Sequence, residues 1–480
     1  MNENDSRPAT EPSGAPPVAP SLSLFDAACI IVGIVVGTSI FRTTPLVFQN
    51  TEGPWAALGI WLLGGVLCLF GAFCYAELAT TYPRNGGDYE YLSRAFGRWA
   101  GFLFGWAQLT VILTGSIGVM AYAFADYAAR LAPLSDANKA WLAAGAIVAV
   151  SVVNLVGLAA GKWTQNVLTV AKVLGLLGVI VAGLIWGSAT NLAPSTDSMP
   201  SAGPGLGLAL VFVLYAFGGW NDAAFVAAEV RNRERNLPWA LFAGIAGITV
   251  VYLAVNAAYL AVLGFAGARE SFTPAADVLT KAMGDGAGKA VAVLVMISAL
   301  GAINGMTLAG SRVYAVVGED HRIFAWLGRW NRRAAAPTGA LLAQAAIALL
   351  LVLAVGTQAG RNAIDSALVR IHLAALPWND YFGGFETLVA GTAPVFWAFF
   401  LMTGVAVFVL RATDGARPRP FRMPWYPLPP LIFCATCLYM LYSSLEYAKL
   451  LSLIGVIPLA IGLPLYWISS RRLVGQAPRA

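Results

Sequence analysis

Long apolar runs, each followed by a short polar connection, recur through this sequence of 480 residues. An α-helix needs about 20 apolar residues to cross the hydrocarbon core of a bilayer, and a transmembrane strand needs only about ten. Charged residues make up 11% of the chain and hydrophobic residues 58%, whereas a soluble globular protein carries about 25% charged residues. The pattern therefore predicts an all-α integral membrane protein.

We predict twelve membrane-spanning helices from these runs. By residue number they are 24–48, 54–82, 99–130, 140–158, 164–187, 204–229, 238–264, 288–317, 337–356, 387–410, 427–446 and 450–470. Arginine clusters in the segments 230–237, 318–336 and 411–426 lie on one side of this arrangement. The positive-inside rule places that side in the cytoplasm. Both termini are therefore predicted to be cytoplasmic, in the plasma or inner membrane, and the net charge of +6 requires no nucleic-acid partner.

Two glycine-rich segments, 33–41 and 215–221, interrupt the first and the sixth predicted span. Unwinding a helix inside a membrane is tolerated only where protein or a water-filled cavity covers the free peptide groups. Interruptions at matching positions of two chain halves indicate the substrate site of a secondary transporter. The first break therefore offers N–H groups at Gly37, Thr38 and Ser39 for a carboxylate. Helix packing through the small residues Gly33 and Gly37 is the alternative.

The second break has adjacent glycines, Gly218 and Gly219, between Tyr215 and Trp220. Two such glycines cost a helix roughly 2 kcal/mol relative to alanine, which packing alone does not require. Two sets of carbonyl groups are predicted to accept hydrogen bonds from an ammonium group. The first runs from Ile34 through Val35 to Val36, and the second from Tyr215 through Ala216 to Phe217. Tyr215 and Trp220 are predicted to cover the substrate side chain, with aromatic core packing as the alternative for Trp220. The role of Asp222 stays open.

Five spans separate the two breaks, and an odd number reverses the direction of insertion. This offset predicts an inverted repeat of five plus five helices, although no residue-level repeat is visible. The predicted units are a disordered cytoplasmic tail, a first repeat, a second repeat with a long outer loop at 357–386, and two additional helices. Their respective ranges are 1–23, 24–187, 204–410 and 427–470. The outer loop has apolar residues at helical spacing over 363–376, which fits an interfacial helix or a lid.

Three stretches carry a family resemblance: residues 37–41, residues 75–91, and residues 217–221 with the following Glu229 and Asn236-Leu237-Pro238. On these the chain resembles the amino acid–polyamine–organocation superfamily, in its L-type amino acid transporter-like branch. The match is good over the first eight spans and weakens after the ninth. Ser39 is a departure, because the family usually has a second glycine there, and the larger residue narrows the predicted carboxylate site.

The resemblance implies the leucine-transporter fold, with broken helices 1 and 6 and a substrate between spans one, three, six, eight and ten. It also matches Asn304 to a family position on the permeation route, although hydrogen bonding between helices explains this residue equally. The predicted substrate-binding residues are Val35, Val36, Gly37, Thr38, Ser39, Tyr215, Ala216, Phe217, Gly218, Trp220 and Asn304.

Lys172 stands in the middle of the fifth predicted span. A lysine at the centre of a membrane helix costs about 2.5–3.5 kcal/mol on insertion scales and is a functional candidate by default. Snorkelling to the interface is the alternative. The resemblance places a lysine here where sodium-coupled relatives bind sodium, so we predict sodium-independent transport, with Lys172 as a coupling or switch residue. Coupling to protons and exchange both stay open.

Neither cofactor nor metal is predicted. The five cysteines all fall in apolar runs, where free Cys behaves as a small hydrophobic residue, and two histidines are too few for a His-based metal centre. No P-loop motif is present, and paired intramembrane acids for an enzyme are lacking. Relatives in the L-type branch join an accessory subunit through a cysteine after span three. The loop at about 131–139 has none, so no covalently linked subunit is expected.

The sequence therefore predicts a secondary transporter of amino acids that works by alternating access and is not an enzyme. The predicted cavity walls are apolar, which favours a neutral substrate. Two alternatives stay open. One is a non-transporting amino-acid sensor or scaffold. The other is a carrier of polyamines or cationic amino acids, for which Asp222 is the only carboxylate near the second break.

Overall fold

Helices form along nearly all of the apolar runs. The computed structural model describes residues 21–192 and 205–474, apart from 272, 285, 371, 377 and 379–383, so residues 1–20 of the predicted tail lie outside the description. The helices of the first half are α1 Leu24–Val35, α2 Ser39–Arg42, α3 Thr44–Gln49, α4 Pro54–Thr81, α5 Asp88–Phe96, α6 Arg98–Ala107, α7 Leu113–Ala128, α8 Asp136–Val156 and α9 Leu158–Trp186.

The second half adds a further nine α-helices and a short hairpin. They are α10 Leu206–Ala216, α11 Arg233–Glu270, α12 Pro274–Met283, α13 Ala287–Asp320, β1 Trp330–Asn331, β2 Ala336–Pro337, α14 Thr338–Gly356, α15 Gln358–Arg370, α16 Gly384–Thr413, α17 Leu428–Ala448 and α18 Leu453–Val474. A π-helix, Gln108–Ile112, joins α6 to α7, and a 3-10 helix, Trp220–Glu229, follows α10.

Within the described residues, eleven helical segments are long and apolar enough to cross a membrane. The last of these, Leu428–Ser469, has 42 residues and contains α17, a 3-10 turn at Lys449–Ser452 and most of α18. Such a length is about twice that required for one crossing. The prediction of twelve spans therefore needs this segment to cross twice, and it stays a prediction.

The start of α1 is fixed by a capping box. The side chain of Ser23 accepts a hydrogen bond from the N–H of Asp26, and Asp26 accepts one from the N–H of Ser23. Such a reciprocal pair satisfies two N–H groups that a helix N-terminus otherwise leaves free. Just before it, the N–H of Leu22 donates to the carbonyl of Glu229 at 2.9 Å. The chain entering α1 is thereby bonded to the chain leaving the second break.

Helix α1 runs through the centre of the bundle, packed against α9, α11 and α13. Small residues permit the close approach of these helices. An ideal Cβ placed on Gly183 of α9 would lie 2.7 Å from the Cα of Ala258 on α11. Residues at such crossings must be small, because backbone cannot move aside as a flexible side chain does.

The predicted outer loop contains α15, which begins at Gln358 and ends at Arg370. The apolar spacing suggested a helix over 363–376, so the observed helix begins and ends earlier. The chain turns after the helix at His372, which has φ 62° and whose N–H donates to the carbonyl of Val369 at 3.0 Å. Asp365 of the helix then accepts hydrogen bonds from the Leu376 N–H at 3.1 Å and from the Trp378 indole at 2.8 Å. These bonds hold the chain after the helix back against its side.

We expect Gly183→Leu to destabilise the bundle, because the new side chain meets the backbone of α11. Overpacking costs typically about 1–3 kcal/mol. Gly178 lies on the same helix with nothing within 4 Å of an ideal Cβ, so Gly178→Leu is the matched control. Thermal unfolding of both variants in one detergent would show a lower Tm for Gly183→Leu. Equal Tm values would contradict the proposed close approach.

Candidate substrate-binding site

The first break lies between α1 and α2. After Val35 the chain leaves helical geometry, with φ −75° and ψ 66° at Val36. The N–H of Gly37 then bonds to the carbonyl of Val35 at 2.7 Å, a bond two residues back rather than four. A new helix starts at Ser39, and the first N–H groups of a helix have no acceptor within it. The break therefore exposes both carbonyl and N–H groups inside the bundle.

The second break follows α10. The N–H of Gly218 bonds to the carbonyl of Tyr215 at 3.1 Å, and Gly219 adopts φ 98°, a left-handed conformation that glycine accepts without strain. An ideal Cβ on Gly219 would lie 2.5 Å from Cγ2 of Ile34. The second glycine therefore serves two purposes, because it turns the chain and lets the two breaks touch.

A cavity of about 120 Å³, which we call the central cavity, lies between the two breaks. Five of the predicted substrate-binding residues line it: Val35, Gly37, Ser39, Tyr215 and Gly218. Further walls come from the π-helix and from α7, α13 and α16. The structure thus brings the two interruptions, which are far apart in sequence, to one chamber.

Three of the other predicted residues at the breaks lie just behind the wall. The carbonyl of Val36 faces α9 and α13, where it meets Lys172 and Ser298. The hydroxyl of Thr38 donates to the sulfur of Met120 at 3.6 Å. Ala216 is buried, and its carbonyl accepts from the Tyr252 hydroxyl at 3.3 Å.

The remaining three predicted residues pack away from the central cavity. Phe217 packs against Trp61 and Tyr252. Trp220 packs edge-on to Tyr75, with 5.1 Å between the ring centroids, and also against Phe400 and Phe433. The Trp220 ring therefore follows the core-packing alternative, and the Phe217 ring packs into the core as well, which was not foreseen. The amide of Asn304 bonds to three groups on α8 and α9, so it follows the alternative of hydrogen bonding between helices. Those groups are Asn154, Gln165 and the carbonyl of Gly161.

Lys172 connects the first break to two neighbouring helices. Its side chain is fully buried, and Nζ donates to the carbonyls of Gly33 at 2.8 Å, Val36 at 2.8 Å and Ser298 at 3.0 Å. The hydroxyl of Ser298 also lies 2.9 Å from the Val36 carbonyl. An ammonium has three hydrogens, and all three have acceptors here. Nζ is thus placed where carbonyls at the end of α1 have no donor within the helix.

The carbonyl of Val35 accepts from the hydroxyl of Tyr252 at 3.0 Å. The carbonyls of Val35, Val36, Tyr215 and Ala216, which were predicted to bind a substrate ammonium, therefore already have protein donors. A carbonyl oxygen has two lone pairs, so that of Val35 can accept a second hydrogen bond from a ligand. The Val36 oxygen already has two donors within hydrogen-bond distance, Nζ of Lys172 and the hydroxyl of Ser298. The Tyr252 hydroxyl lies between the two breaks and fixes their spacing.

Several lining residues were missed by the sequence reasoning. They include Gln108, Ser116, Met306, Thr392 and Trp397. Gln108 carried a usable signal, because an amide inside an apolar run is costly unless it has a function. It begins the π-helix, a feature frequent at functional sites, and its Oε1 has no hydrogen-bond partner among the described residues. The apolar lining residues carried no such signal, since their spacing in the sequence does not differ from that of core residues.

A larger cavity of about 780 Å³, the outer cavity, adjoins the central one on the side predicted to be extracellular. The two share Tyr215, Val389, Ala393 and Trp397 in their walls. Beside it, Arg42 bonds to Glu386 at 2.9 Å and to Asp126 at 3.4 Å. This ion-pair cluster is partly exposed, so it contributes little to stability.

On the opposite side, one buried ion pair, one partly exposed ion pair and a backbone hydrogen bond connect the helices. Arg312 of α13 pairs with Glu229 at 2.9 Å, and both side chains are almost completely buried. Arg84 pairs with Asp320 at 2.8 Å, and Gly86 donates to the Phe225 carbonyl at 3.0 Å. Among the described residues, the cavity of about 780 Å³ adjoins the central cavity on the outer side, away from these contacts.

Comparison with known proteins is consistent with this geometry. The family model described as amino acid permease matches residues 22–463. The chain belongs to this family. Membership confirms the resemblance to the amino acid–polyamine–organocation superfamily and implies the leucine-transporter fold. It also supports a multi-pass membrane protein.

Three relatives illustrate the similarity. The b(0,+)-type amino acid transporter 1 of Mus musculus is 28% identical over 432 residues, which cover 88% of this chain and 82% of the relative. The serine/threonine exchanger SteT of Bacillus subtilis is 26% identical over 457 residues, which cover 94% of this chain and 97% of the relative. The human cystine/glutamate transporter is 27% identical over 454 residues, which cover 93% of this chain and 84% of the relative. Each is, by its name, a transporter or exchanger of amino acids.

The described residues contain no group of three or more His, Cys, Asp or Glu that is placed to hold a metal ion. The five cysteines are free, and four of them are buried. The prediction that no metal or cofactor is needed stays a prediction.

Asp88 lies below the central cavity, at the start of α5, and is buried. The hydroxyls of Tyr75 and Thr403 donate to its Oδ1, whereas Oδ2 has no partner in the described part of the chain. It lines a small void together with Gln108 and Asn221. Burial outweighs the hydroxyl bonds and raises the pKa of Asp88 to about 6.

We expect Asp88 to make the protein less stable as the pH rises from 4 to 6. In this window the unfolded carboxyl has lost its proton and the folded one has not, so unfolding releases a proton. The full effect is about 3 kcal/mol. Asp88→Asn keeps an oxygen for Tyr75 and Thr403 but cannot ionise. The difference in Tm between wild type and this variant, measured in detergent from pH 4.5 to 7.5, should shift in favour of the variant as pH rises. A difference independent of pH would contradict the assignment.

We expect Lys172→Met to lower both stability and transport, because three buried carbonyls lose their donor. Each unsatisfied group costs about 1–3 kcal/mol. Lys162 on the same helix is part-exposed and lies 3.5 Å from Asp26, so Lys162→Met is the matched control. Tm in detergent and exchange in proteoliposomes should both fall for Lys172→Met and change little for Lys162→Met. Equal behaviour of the two variants would show that Lys172 does not hold the break.

Proposed function

We propose that this protein is a sodium-independent secondary transporter of amino acids, working by alternating access as an exchanger or a proton-coupled symporter. The observation that carries the proposal is the central cavity between two interrupted helices. One end of an amino acid needs hydrogen-bond donors and the other needs acceptors. Ser39, Val35 and Tyr215 line this cavity. In this proposal the N–H groups at Ser39 and beside it bind the carboxylate, and the carbonyls of Val35 and Tyr215 bind the ammonium.

Sodium independence is supported by the surroundings of Lys172. A cation site in a membrane protein is built from oxygen ligands, and the carbonyls of Gly33, Val36 and Ser298 form such a set. The ammonium of Lys172 fills that set with its own charge. A sodium ion at the same place would have to displace it and would meet like-charge repulsion.

The mainly apolar wall supports uptake of neutral amino acids. Ile112, Leu113, Val119 and Met306 line the central cavity from three sides. A small volume and apolar walls suit a compact, uncharged side chain. Among the relatives, the name of SteT describes exchange of serine and threonine, which supports exchange as the mode here.

The setting of the transporter is also part of the proposal. Arginine clusters support cytoplasmic termini, and the outer cavity then faces the outside of the cell. The missing cysteine in the loop after the third predicted span supports a transporter without a covalently linked subunit. A sensor or scaffold with a retained site is the alternative.

The experiment is uptake of labelled amino acids by purified protein in proteoliposomes. We expect vesicles preloaded with unlabelled amino acid to take up label faster than empty ones, with the same rate when choline replaces sodium. A panel of unlabelled competitors then identifies the substrate. Proton coupling would appear as uptake into empty vesicles driven by an inward pH gradient.

Two results would overturn the proposal. Binding of amino acid by folded protein without any uptake or counterflow would favour the sensor. Loss of uptake on replacing sodium by choline would show that the Lys172 ammonium does not substitute for sodium.

A further inference from the structure

We infer that Asp88 is a proton-binding site that couples the movement of protons to that of amino acids. The inference rests on the proposed function and selects proton-coupled symport from the two modes left open there. It places the transported proton on a buried carboxyl group below the central cavity. Lys172 keeps its separate task of holding the end of α1.

Three buried oxygen atoms without donors carry the argument. They are Oδ2 of Asp88, Oε1 of Gln108 and Oδ1 of Asn221, and none of them has a hydrogen-bond partner among the described residues. Each of these residues is at most 2% exposed, and all three line the same small void. A buried acceptor that finds no donor is costly. Three of them around one void therefore mark a site that needs a hydrogen.

A proton on Asp88 supplies that hydrogen. An ionised carboxylate only accepts hydrogen bonds, whereas a protonated one also donates through its O–H group. Oδ1 already accepts from the hydroxyls of Tyr75 and Thr403, so the proton belongs on Oδ2. There it serves the amide oxygens of Gln108 and Asn221, which line the void with it. The neutral form of Asp88 is thus the form that this pocket stabilises.

The void suits a proton better than a metal cation. Its volume is about 10 Å³, and a space of about 10–15 Å³ holds a single water molecule. A metal cation needs several oxygen ligands around it, whereas the other walls of this void are mostly apolar. Those walls are Tyr75, Phe104, Ile112, Phe396, Phe399 and Phe400.

The charges around Asp88 also favour its neutral form. In the described structure, the titratable groups around it and its partner Tyr75 are acids, tyrosines and a thiol. They are Tyr75 of α4, Glu90 and Tyr91 of α5, Asp222 of the 3-10 helix and Cys437 of α17. The arginines of this segment, Arg84 and Arg94, pair instead with Glu90, at 3.3 and 2.5 Å. Burial raises the pKa of Asp88 to about 6, so the group exchanges its proton near neutral pH.

The position of Asp88 ties its proton to transport. Gln108 lines both the void and the central cavity, so the proton site adjoins the predicted substrate site. Asn221 lies in the first turn after the second break, and Thr403 belongs to α16, which also lines the central cavity. Protonated Asp88 therefore connects elements that surround the substrate. Release of the proton to the cytoplasm removes this connection when the inner face opens.

The experiment measures two activities of purified protein in proteoliposomes that contain a pH-sensitive dye. One is counterflow of labelled amino acid at equal pH on both sides, and the other is uptake into empty vesicles driven by an inward pH gradient. We expect wild type to show both, with acidification of the lumen when substrate is added. Asp88→Asn keeps a hydrogen on the side chain but cannot release it. It should retain counterflow and lose both gradient-driven uptake and acidification.

Asp414→Asn is the matched control. Asp414 also accepts a hydrogen bond from a tyrosine hydroxyl, that of Tyr82 at 2.9 Å, but its carboxyl is partly exposed and lies outside the void. This variant should retain counterflow, gradient-driven uptake and acidification of the lumen.

Thr403→Val gives a second readout that does not depend on removing the carboxyl group. The hydroxyl of Thr403 stabilises the ionised form of Asp88, so its loss raises the pKa of Asp88. The external pH that gives half-maximal gradient-driven uptake should therefore rise by about one unit. If Asp88→Asn does not fold, this shift decides the matter, and an unchanged pH profile overturns the proton site.

Three further results separate the proton site from the proposed function. Gradient-driven uptake and acidification retained by Asp88→Asn would overturn the site, because another group would then carry the proton. Counterflow by wild type without any response to a pH gradient would overturn it too, while the proposed function would stand as an exchanger. Folded wild type without uptake or counterflow would overturn the proposed function itself.

Discussion

The hydrogen bonds from Lys172 to the end of α1 make an interrupted helix possible inside this bundle. A helix that stops in a membrane leaves carbonyls that water cannot reach. Here Nζ satisfies the carbonyls of Gly33 and Val36 and at the same time holds that of Ser298 on α13. Tyr252 performs a related task, since its hydroxyl reaches carbonyls of both breaks. The chamber therefore depends on polar side chains contributed by three helices that surround α1.

The two faces of the bundle differ in a way that fits alternating access. On one face the central cavity adjoins the outer cavity, whose polar residues are partly exposed. On the other face the pair Arg312–Glu229 is buried, and the chain before α1 is bonded to the chain after the second break. Breaking a buried pair costs far more than breaking an exposed one. In the proposed alternating-access cycle, opening this face separates these contacts, and a motion of rigid helix groups separates them together.

Much of the architecture was predictable because backbone N–H and C=O groups inside a bilayer must find hydrogen-bond partners within the protein, which few structures allow. The length of the apolar runs predicts helices, and Gly37 and Gly218-Gly219 mark where two of these helices stop. Lys172 was predictable as functional because a charge inside a span is costly, and the observed bonds give its partners. Trp220 and Phe217 were predicted to line the site, yet their rings pack into the core. An aromatic residue beside a break can reach either the apolar wall of the cavity or the core between helices. Nothing in the sequence distinguishes these two environments.

The sequence by itself therefore determined the membrane class and the positions of both helix breaks, since these follow from local composition and local backbone preference. It also indicated the family, through the resemblance of three motif stretches. Only the tertiary structure decided which side chains face the chamber. Gln108, Thr392 and Trp397 come from helices remote in sequence, and their convergence depends on how the helices are rotated. The same holds for Asp222. Its carboxyl is visible in the sequence, but its position in the wall of the central cavity depends on how the surrounding helices pack.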